Sequence, residues 1–147
     1  MAEHRTSIDI DAAPEVVFEF LVTDAGVTSW MGQWASLDPV PGGQFAVDIA
    51  GYPARGAFLE VDPPRRVTVS WGFAGHESLP PGSSTVSFEL TPTSAGTRVE
   101  VVHSGLPADE VPGHIEGWSH FLPRLARTAV GEQLPTDTWS PQLSTTE

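Results

Sequence analysis

Residues 113–130, GHIEGWSHFLPRLARTAV, are the longest segment of the chain with a helical apolar period. The apolar residues that recur at steps of three and four are Ile115, Trp118, Leu122, Leu125 and Ala129, with Phe121 and Ala126 widening the stripe. This spacing predicts an amphipathic helix with one bulky face. Because such a face must be buried, the rest of the chain should provide an apolar surface that covers it.

Upstream of this helix, apolar residues alternate with period two, which predicts the strands of an antiparallel meander. The alternating sets lie at residues 6–10, 45–49, 57–61, 67–73, 86–90 and 99–103. The Asp-Pro-Pro sequence at 62–64 must be a turn, since neither proline can donate a ladder hydrogen bond. The predicted fold class is therefore α+β: a curved antiparallel sheet of six or seven strands wrapped on the long C-terminal helix.

Two short helices are predicted between the first strand and the rest of the sheet. Pro14 suits the first turn of one helix, where the missing N–H has no partner to lose. Thr23 or Asp24 is suited to cap a second helix that ends near Trp30. After residue 130 the sequence has no period and contains two prolines, so we expect a single domain over 5–130 and a flexible tail over 131–147.

Composition limits the partners and the compartment. The 147 residues carry a formal charge of −12, with seven arginines and no lysine, and such a surface repels phosphate backbones. We therefore expect no nucleic-acid partner. No apolar run is long enough to span a membrane, and the N-terminus has no apolar signal segment. The absence of cysteine excludes thiol chemistry and fits a cytoplasmic protein.

Several short motifs are spread along the chain. They are Pro14 with Val17 and Phe18, Trp30, GGQF at 42–45, Gly56, VDPPRRV at 61–67, Trp71, Thr85 with Val86, LTP at 90–92, Gly96 with Thr97, HSGL at 103–106, and Gly117 with Trp118. Together they resemble the START-like helix-grip (SRPBCC) superfamily, in the branch of the heat-shock protein 90 ATPase activator homologues. The resemblance implies a hydrophobic cavity between the sheet and the long helix. It does not select one function, because members bind lipids, transform substrates or assist a chaperone.

Aromatic side chains are more numerous than a core of this size needs, and ring-lined cavities hold apolar ligands. The predicted ligand-binding residues are Trp30, Phe45, Trp71, Phe73, Phe88, His103, Trp118, Phe121 and Leu122. An ordinary aromatic core is the alternative. Phe58 alternates with Leu59, and the pattern leaves open which of the two faces inward.

His103 continues the alternation of its strand and should point towards the helix, either as a buried histidine with satisfied nitrogens or as a polar anchor at the cavity end. His76 and Glu77 lie in a loop that could border the cavity. Glu116 and His120 are four residues apart on the helix, and without a third ligand they predict a solvated pair rather than a metal site.

Sequence motifs for catalysis are absent: the chain has no nucleophile elbow, His-Glu-x-x-His sequence, phosphate loop or dinucleotide fingerprint. We therefore expect binding of a small apolar or aromatic ligand rather than catalysis, with no cofactor and no metal. One alternative is a protein-interaction module resembling the chaperone activator, and another is a weak cyclase or hydrolase acting in the same cavity. The chain is expected to be a monomer or a homodimer.

Overall fold

In the computed structural model, which describes residues 2–135 and residue 137, seven strands form one antiparallel sheet. The strands are β1 (Ala2–Ile10), β2 (Trp34–Leu37), β3 (Gln44–Ile49), β4 (Tyr52–Asp62), β5 (Arg66–Trp71), β6 (Ser84–Pro92) and β7 (Thr97–Leu106). Their order across the sheet is β1-β7-β6-β5-β4-β3-β2, so β1 and β2 form opposite edges. The predicted α+β class and strand number are confirmed.

Three α-helices complete the described fold: α1 (Pro14–Val22), α2 (Asp24–Thr28) and α3 (Val111–Ala129), with a 3-10 turn at Ala108–Glu110 before α3. Pro14 begins α1, as predicted. The hydroxyl of Thr23 accepts a hydrogen bond from the Gly26 N–H (3.0 Å), so Thr23 is the cap of α2. Among the described helices, none is long and apolar enough to cross a membrane.

The hairpin between β3 and β4 has a two-residue turn. Its residues, Ala50 and Gly51, have φ angles of 51° and 86°, the signs that a type I′ turn requires. Glycine accepts such an angle without strain, whereas alanine rarely adopts it. The turn places Ile49 opposite Tyr52 as the last pair of the two strands. Tyr52 is thus the first residue of β4.

Burial shows which faces of the strands and of α3 point inward. In β4, Phe58 is fully buried and Leu59 is 51% exposed, which answers the question that the alternation left open. On α3 the expected stripe is correct from Trp118 onward but wrong at Ile115, which is 41% exposed. His114 is buried instead, because it lies four residues before Trp118 and therefore one turn away on the same face.

The described part of the C-terminal segment returns to α3. Asp137 accepts a hydrogen bond from His120 Nε2 (3.0 Å), and its carboxylate lies 3.6 Å from Arg124 Nε. His120 therefore pairs with Asp137 rather than forming the expected solvated pair with Glu116. The rest of the predicted tail, including Trp139, lies outside the described residues.

Candidate ligand-binding site

An apolar pocket lies between the N-terminal half of α3 and the sheet. It has a volume of ≈ 50 Å³ and walls with almost no accessible polar surface. Within the described part of the chain, six rings line it: Tyr52, Trp71, Phe73, His114, Trp118 and Phe121. The other lining residues are Met31, Ile49, Gly113 and Gly117.

Each wall of the pocket comes from a different element. β5 provides Trp71, and Phe73 follows it in a segment that still bridges to Ala54 of β4. The β3–β4 hairpin provides Ile49 and Tyr52 through its tight turn. Met31 follows α2, where its N–H donates to the Val27 carbonyl (2.8 Å).

Helix α3 provides the opposite wall with two glycines among its rings. Gly113 and Gly117 are four residues apart, so they lie one above the other on the face that meets the sheet. Neither projects a side chain into the space between the helix and the rings of Trp71 and Phe73. Both glycines line the pocket.

His114 has both ring nitrogens hydrogen-bonded. The indole Nε1 of Trp71 donates to His114 Nε2 (3.3 Å), and His114 Nδ1 lies 2.8 Å from the Glu110 carbonyl oxygen. An indole N–H can only donate, so Nε2 is the acceptor and the proton is on Nδ1. The tautomer of His114 is therefore fixed by Trp71 on one side and by the backbone on the other.

His103 is fully buried behind the pocket and carries the opposite tautomer. Trp118 Nε1 donates to His103 Nδ1 (3.2 Å), so His103 holds its proton on Nε2 and donates it to the Ser84 hydroxyl (2.9 Å). Ser84 in turn donates to the Trp71 carbonyl (2.8 Å). His103 thus has both nitrogens satisfied, and it supports Trp118 instead of facing the pocket.

Burial lowers the pKa of both histidines, that of His103 well below its ordinary value, and the mutual proximity of the two rings lowers the pKa of His103 further. Their ring centroids are 4.9 Å apart with the planes nearly perpendicular. The Glu110 carbonyl and carboxylate oppose this effect at His114 without cancelling it. Both rings are neutral at neutral pH, and their nitrogens have no capacity left for proton transfer to a bound molecule.

Beside the pocket, the loop after β5 brings His76 to a buried carboxylate. The Leu79 N–H donates to His76 Nδ1 (3.1 Å), so the ring proton is on Nε2, which lies 3.4 Å from Glu110 Oε2. Ser78 Oγ is also 3.4 Å from both His76 Nδ1 and Glu110 Oε2. This trio resembles a catalytic triad only in composition, because the nitrogen that faces the serine is already used by the backbone N–H. Glu77, predicted beside it, is exposed.

Four of the nine predicted ligand-binding residues line the pocket: Trp71, Phe73, Trp118 and Phe121. The other five, Trp30, Phe45, Phe88, His103 and Leu122, are buried but do not line it. Phe45 and Phe88 pack behind the wall, against Trp71 (ring centroids 5.8 Å apart) and Trp118 (5.8 Å) respectively. Trp30 is held away from the pocket by its bond to the Phe20 carbonyl (2.8 Å).

Sequence reasoning missed six lining residues: Met31, Ile49, Tyr52, Gly113, His114 and Gly117. Three of them had a detectable signal, because His114 precedes Trp118 by four residues, and Gly113 and Gly117 precede Phe121 by successive steps of four. The other three reach the pocket through the α2–β2 connection and the β3–β4 turn, which periodicity does not describe. Within the described residues, no group of three or more potential metal ligands is present.

Comparisons with known proteins agree with this architecture. The family model described as Activator of Hsp90 ATPase homolog 1-like protein matches residues 11–129. No curated protein is a significant sequence match. The solution structure of an AHSA1-like protein from Rhizobium etli is 34% identical, covers 99% of this chain and 93% of that chain, and has a TM-score of 0.74.

Two further solved structures share the fold at lower identity. The Aha1 dimer from Colwellia psychrerythraea is 24% identical over 88% of this chain and 96% of its own, with a TM-score of 0.76. A protein from Mesorhizobium loti is 23% identical with the same coverages and a TM-score of 0.78. The match of the family model over most of the chain confirms the resemblance seen in the motifs: this chain belongs to the family of Activator of Hsp90 ATPase homolog 1-like proteins.

Proposed function

We propose that this protein binds a small apolar molecule, or the apolar end of a larger one, in the pocket under α3. The observation that carries the proposal is the glycine-faced wall. A glycine inside a helix costs about 1 kcal/mol relative to alanine, so Gly113 and Gly117 weaken α3. A pair of such residues facing a ring-lined, apolar space is explained by a molecule that enters that space.

The size of the pocket restricts the ligand. A dry cavity of about 150 Å³ accepts benzene, and a cavity needs roughly 10–15 Å³ for one water. At ≈ 50 Å³ the pocket receives a short alkyl group as it stands, and an aromatic ring requires a wall to move. Met31 is the wall suited to move, because its side chain is unbranched and has three rotatable bonds.

The test combines a ligand panel with a variant that fills the pocket. Alkylbenzenes, fatty acids, flavonoids and polycyclic aromatics are titrated while tryptophan emission and thermal stability are followed, since Trp71 and Trp118 form two walls. Gly117→Ala should raise the free energy of unfolding by up to about 1 kcal/mol and yet weaken ligand binding. Ser119→Ala, on the exposed side of the same helix, is the matched control and should leave binding unchanged.

The proposal fails if no compound gives a saturable signal in the wild type or in Met31→Val, whose smaller side chain widens the pocket. It also fails if Gly117→Ala and Ser119→Ala bind the panel equally well. Because Gly117→Ala should stabilise the fold, its loss of binding cannot be attributed to unfolding.

The family supports a second candidate, a protein-interaction module that stimulates a chaperone ATPase. The direct test adds the protein to the bacterial heat-shock protein 90 homologue and measures ATP turnover. We expect no stimulation, and a saturable rise would place this candidate first.

The dimeric relative from Colwellia makes a homodimer the assembly to test, by sedimentation. The composition without cysteine supports a cytoplasmic location. The hydrogen-bonded nitrogens of His103 and His114 speak against the cyclase or hydrolase alternative.

A further inference from the structure

We propose that the inner end of this pocket admits only a group without hydrogen-bonding atoms, so that the ligand is amphipathic: an unsubstituted phenyl or alkyl group points inward and every polar atom stays at the mouth. The inference rests on the proposed function and specifies its ligand class. It makes Trp71 the residue that sets this specificity.

The inner walls carry polar side-chain atoms, but each of them has a partner. Trp71 Nε1 and Trp118 Nε1 each have a single proton, which they donate to His114 and His103. His114 uses Nε2 to accept the bond from Trp71 and Nδ1 to donate to the Glu110 carbonyl. A neutral imidazole has one donor and one acceptor, so His114 has no capacity left for a ligand.

The position of the mouth follows from exposure. Among the described residues that line the pocket, Tyr52 and Gly117 are half-exposed and the others are buried. A polar group on the ligand therefore stays in contact with water if it lies beside Tyr52 and Gly117. A polar group at the opposite end would lose its water and find no partner, which is the expensive case for any hydroxyl or amide.

Trp71 controls this selection because it occupies the acceptor of His114. Trp71→Phe removes the indole N–H while keeping a ring in the wall, so His114 Nε2 becomes free to accept a hydrogen bond. The variant also opens space. Phe73→Leu is the matched control. Phe73 lies against His114 (ring centroids 5.9 Å apart), and its replacement by leucine opens space without freeing a polar atom.

The experiment uses two probes that differ by one hydroxyl at the far end of the ring, 2-phenylethanol and 2-(4-hydroxyphenyl)ethanol. Dissociation constants are measured by calorimetry and by ligand-observed NMR for the wild type, Met31→Val, Trp71→Phe and Phe73→Leu. In the wild type and Met31→Val the diol should bind at least ~10-fold more weakly than 2-phenylethanol. In Trp71→Phe the ratio of the two dissociation constants should fall below ~3-fold, and in Phe73→Leu it should remain as in the wild type.

The outcomes separate this inference from the function on which it rests. Equal binding of the two probes by the wild type overturns the inference and leaves the pocket a ligand site. An equal fall of the ratio in Trp71→Phe and Phe73→Leu also overturns it, because volume alone would then explain the change. If neither probe nor any compound of the ligand panel binds to the wild type or Met31→Val, the proposed function itself is wrong. The comparison of probes in the wild type needs no variant to fold.

Discussion

The two halves of α3 cover the sheet in different ways. From Leu122 onward the helix fills its contact with its own side chains, and Leu122, Leu125 and Ala129 are all buried in the core. Before Trp118 it presents glycines and a neutral histidine, and the rings of Tyr52, Trp71 and Phe73 approach without filling the space. The comparison teaches that the cavity coincides with a change of residue size along one face of the helix.

The largest expected effect comes from the filled half. Leu125→Ala removes a fully buried side chain and should lower the free energy of unfolding by about 2–5 kcal/mol. Urea denaturation measures the change, with Ile115→Ala on the exposed side of α3 as a control that should cost under about 0.5 kcal/mol. The affinity of the folded Leu125→Ala protein for pocket ligands should not change. If Leu125→Ala costs no more than the control, the C-terminal half is not packed as described and the contrast between the halves disappears.

The next effect concerns the histidines of the open half. Folding lowers the pKa of both histidines, so in acid the unfolded chain binds more protons than the folded protein does. The contribution of the two histidines to stability is therefore full above about pH 6.5 and falls as the pH drops. Each histidine contributes a slope of at most about 1.4 kcal/mol per pH unit. Urea unfolding at pH 7.5, 6.5 and 5.5 measures the slope.

His103→Gln is the matched variant for this pH effect. The groups that act on the pair are His4, which lowers both pKa values, and Glu110 and His76, which act on His114. The variant keeps these groups and removes one titration, so the loss of stability between pH 6.5 and 5.5 should be visibly shallower than in the wild type. Identical slopes in the two proteins would mean that carboxylates, and not the buried histidines, cause the acid sensitivity.

The smallest expected effect lies at the mouth of the pocket. Ala50 has a positive φ in the turn that carries Ile49 and Tyr52, and asparagine tolerates this conformation better than alanine does. Ala50→Asn should therefore stabilise the protein by about 0.5–1 kcal/mol, measured by thermal and urea unfolding. Ala50→Val is the opposite control and should destabilise it. A stabilising valine would show that the turn does not adopt the type I′ conformation in solution.

The sequence was sufficient for the fold because most of the fold depends on periodicity. The alternation of β5 to β7 and the stripe of α3 located the sheet and the helix that covers it. The site depends on finer quantities. Ile115 and His114 both fit a helical stripe. Only the contacts with the rings of Trp71 and Phe73 favour burial of His114, the less apolar of the two. Gly113 and Gly117 contribute through side chains that they lack, which a search for apolar residues cannot detect.

The order of the strands has a consequence for how the chain folds. β1 comes first in sequence but pairs with β7, so that Ile8 meets Val99, and β2 lies at the far edge of the sheet. During synthesis β1 has no strand partner until residues 97–106 have been made, and the helix that covers the sheet follows later still. Contacts of such long range favour slow folding in one cooperative step. A chain that stops before residue 97 should therefore expose an unpaired edge and aggregate instead of forming a stable N-terminal half.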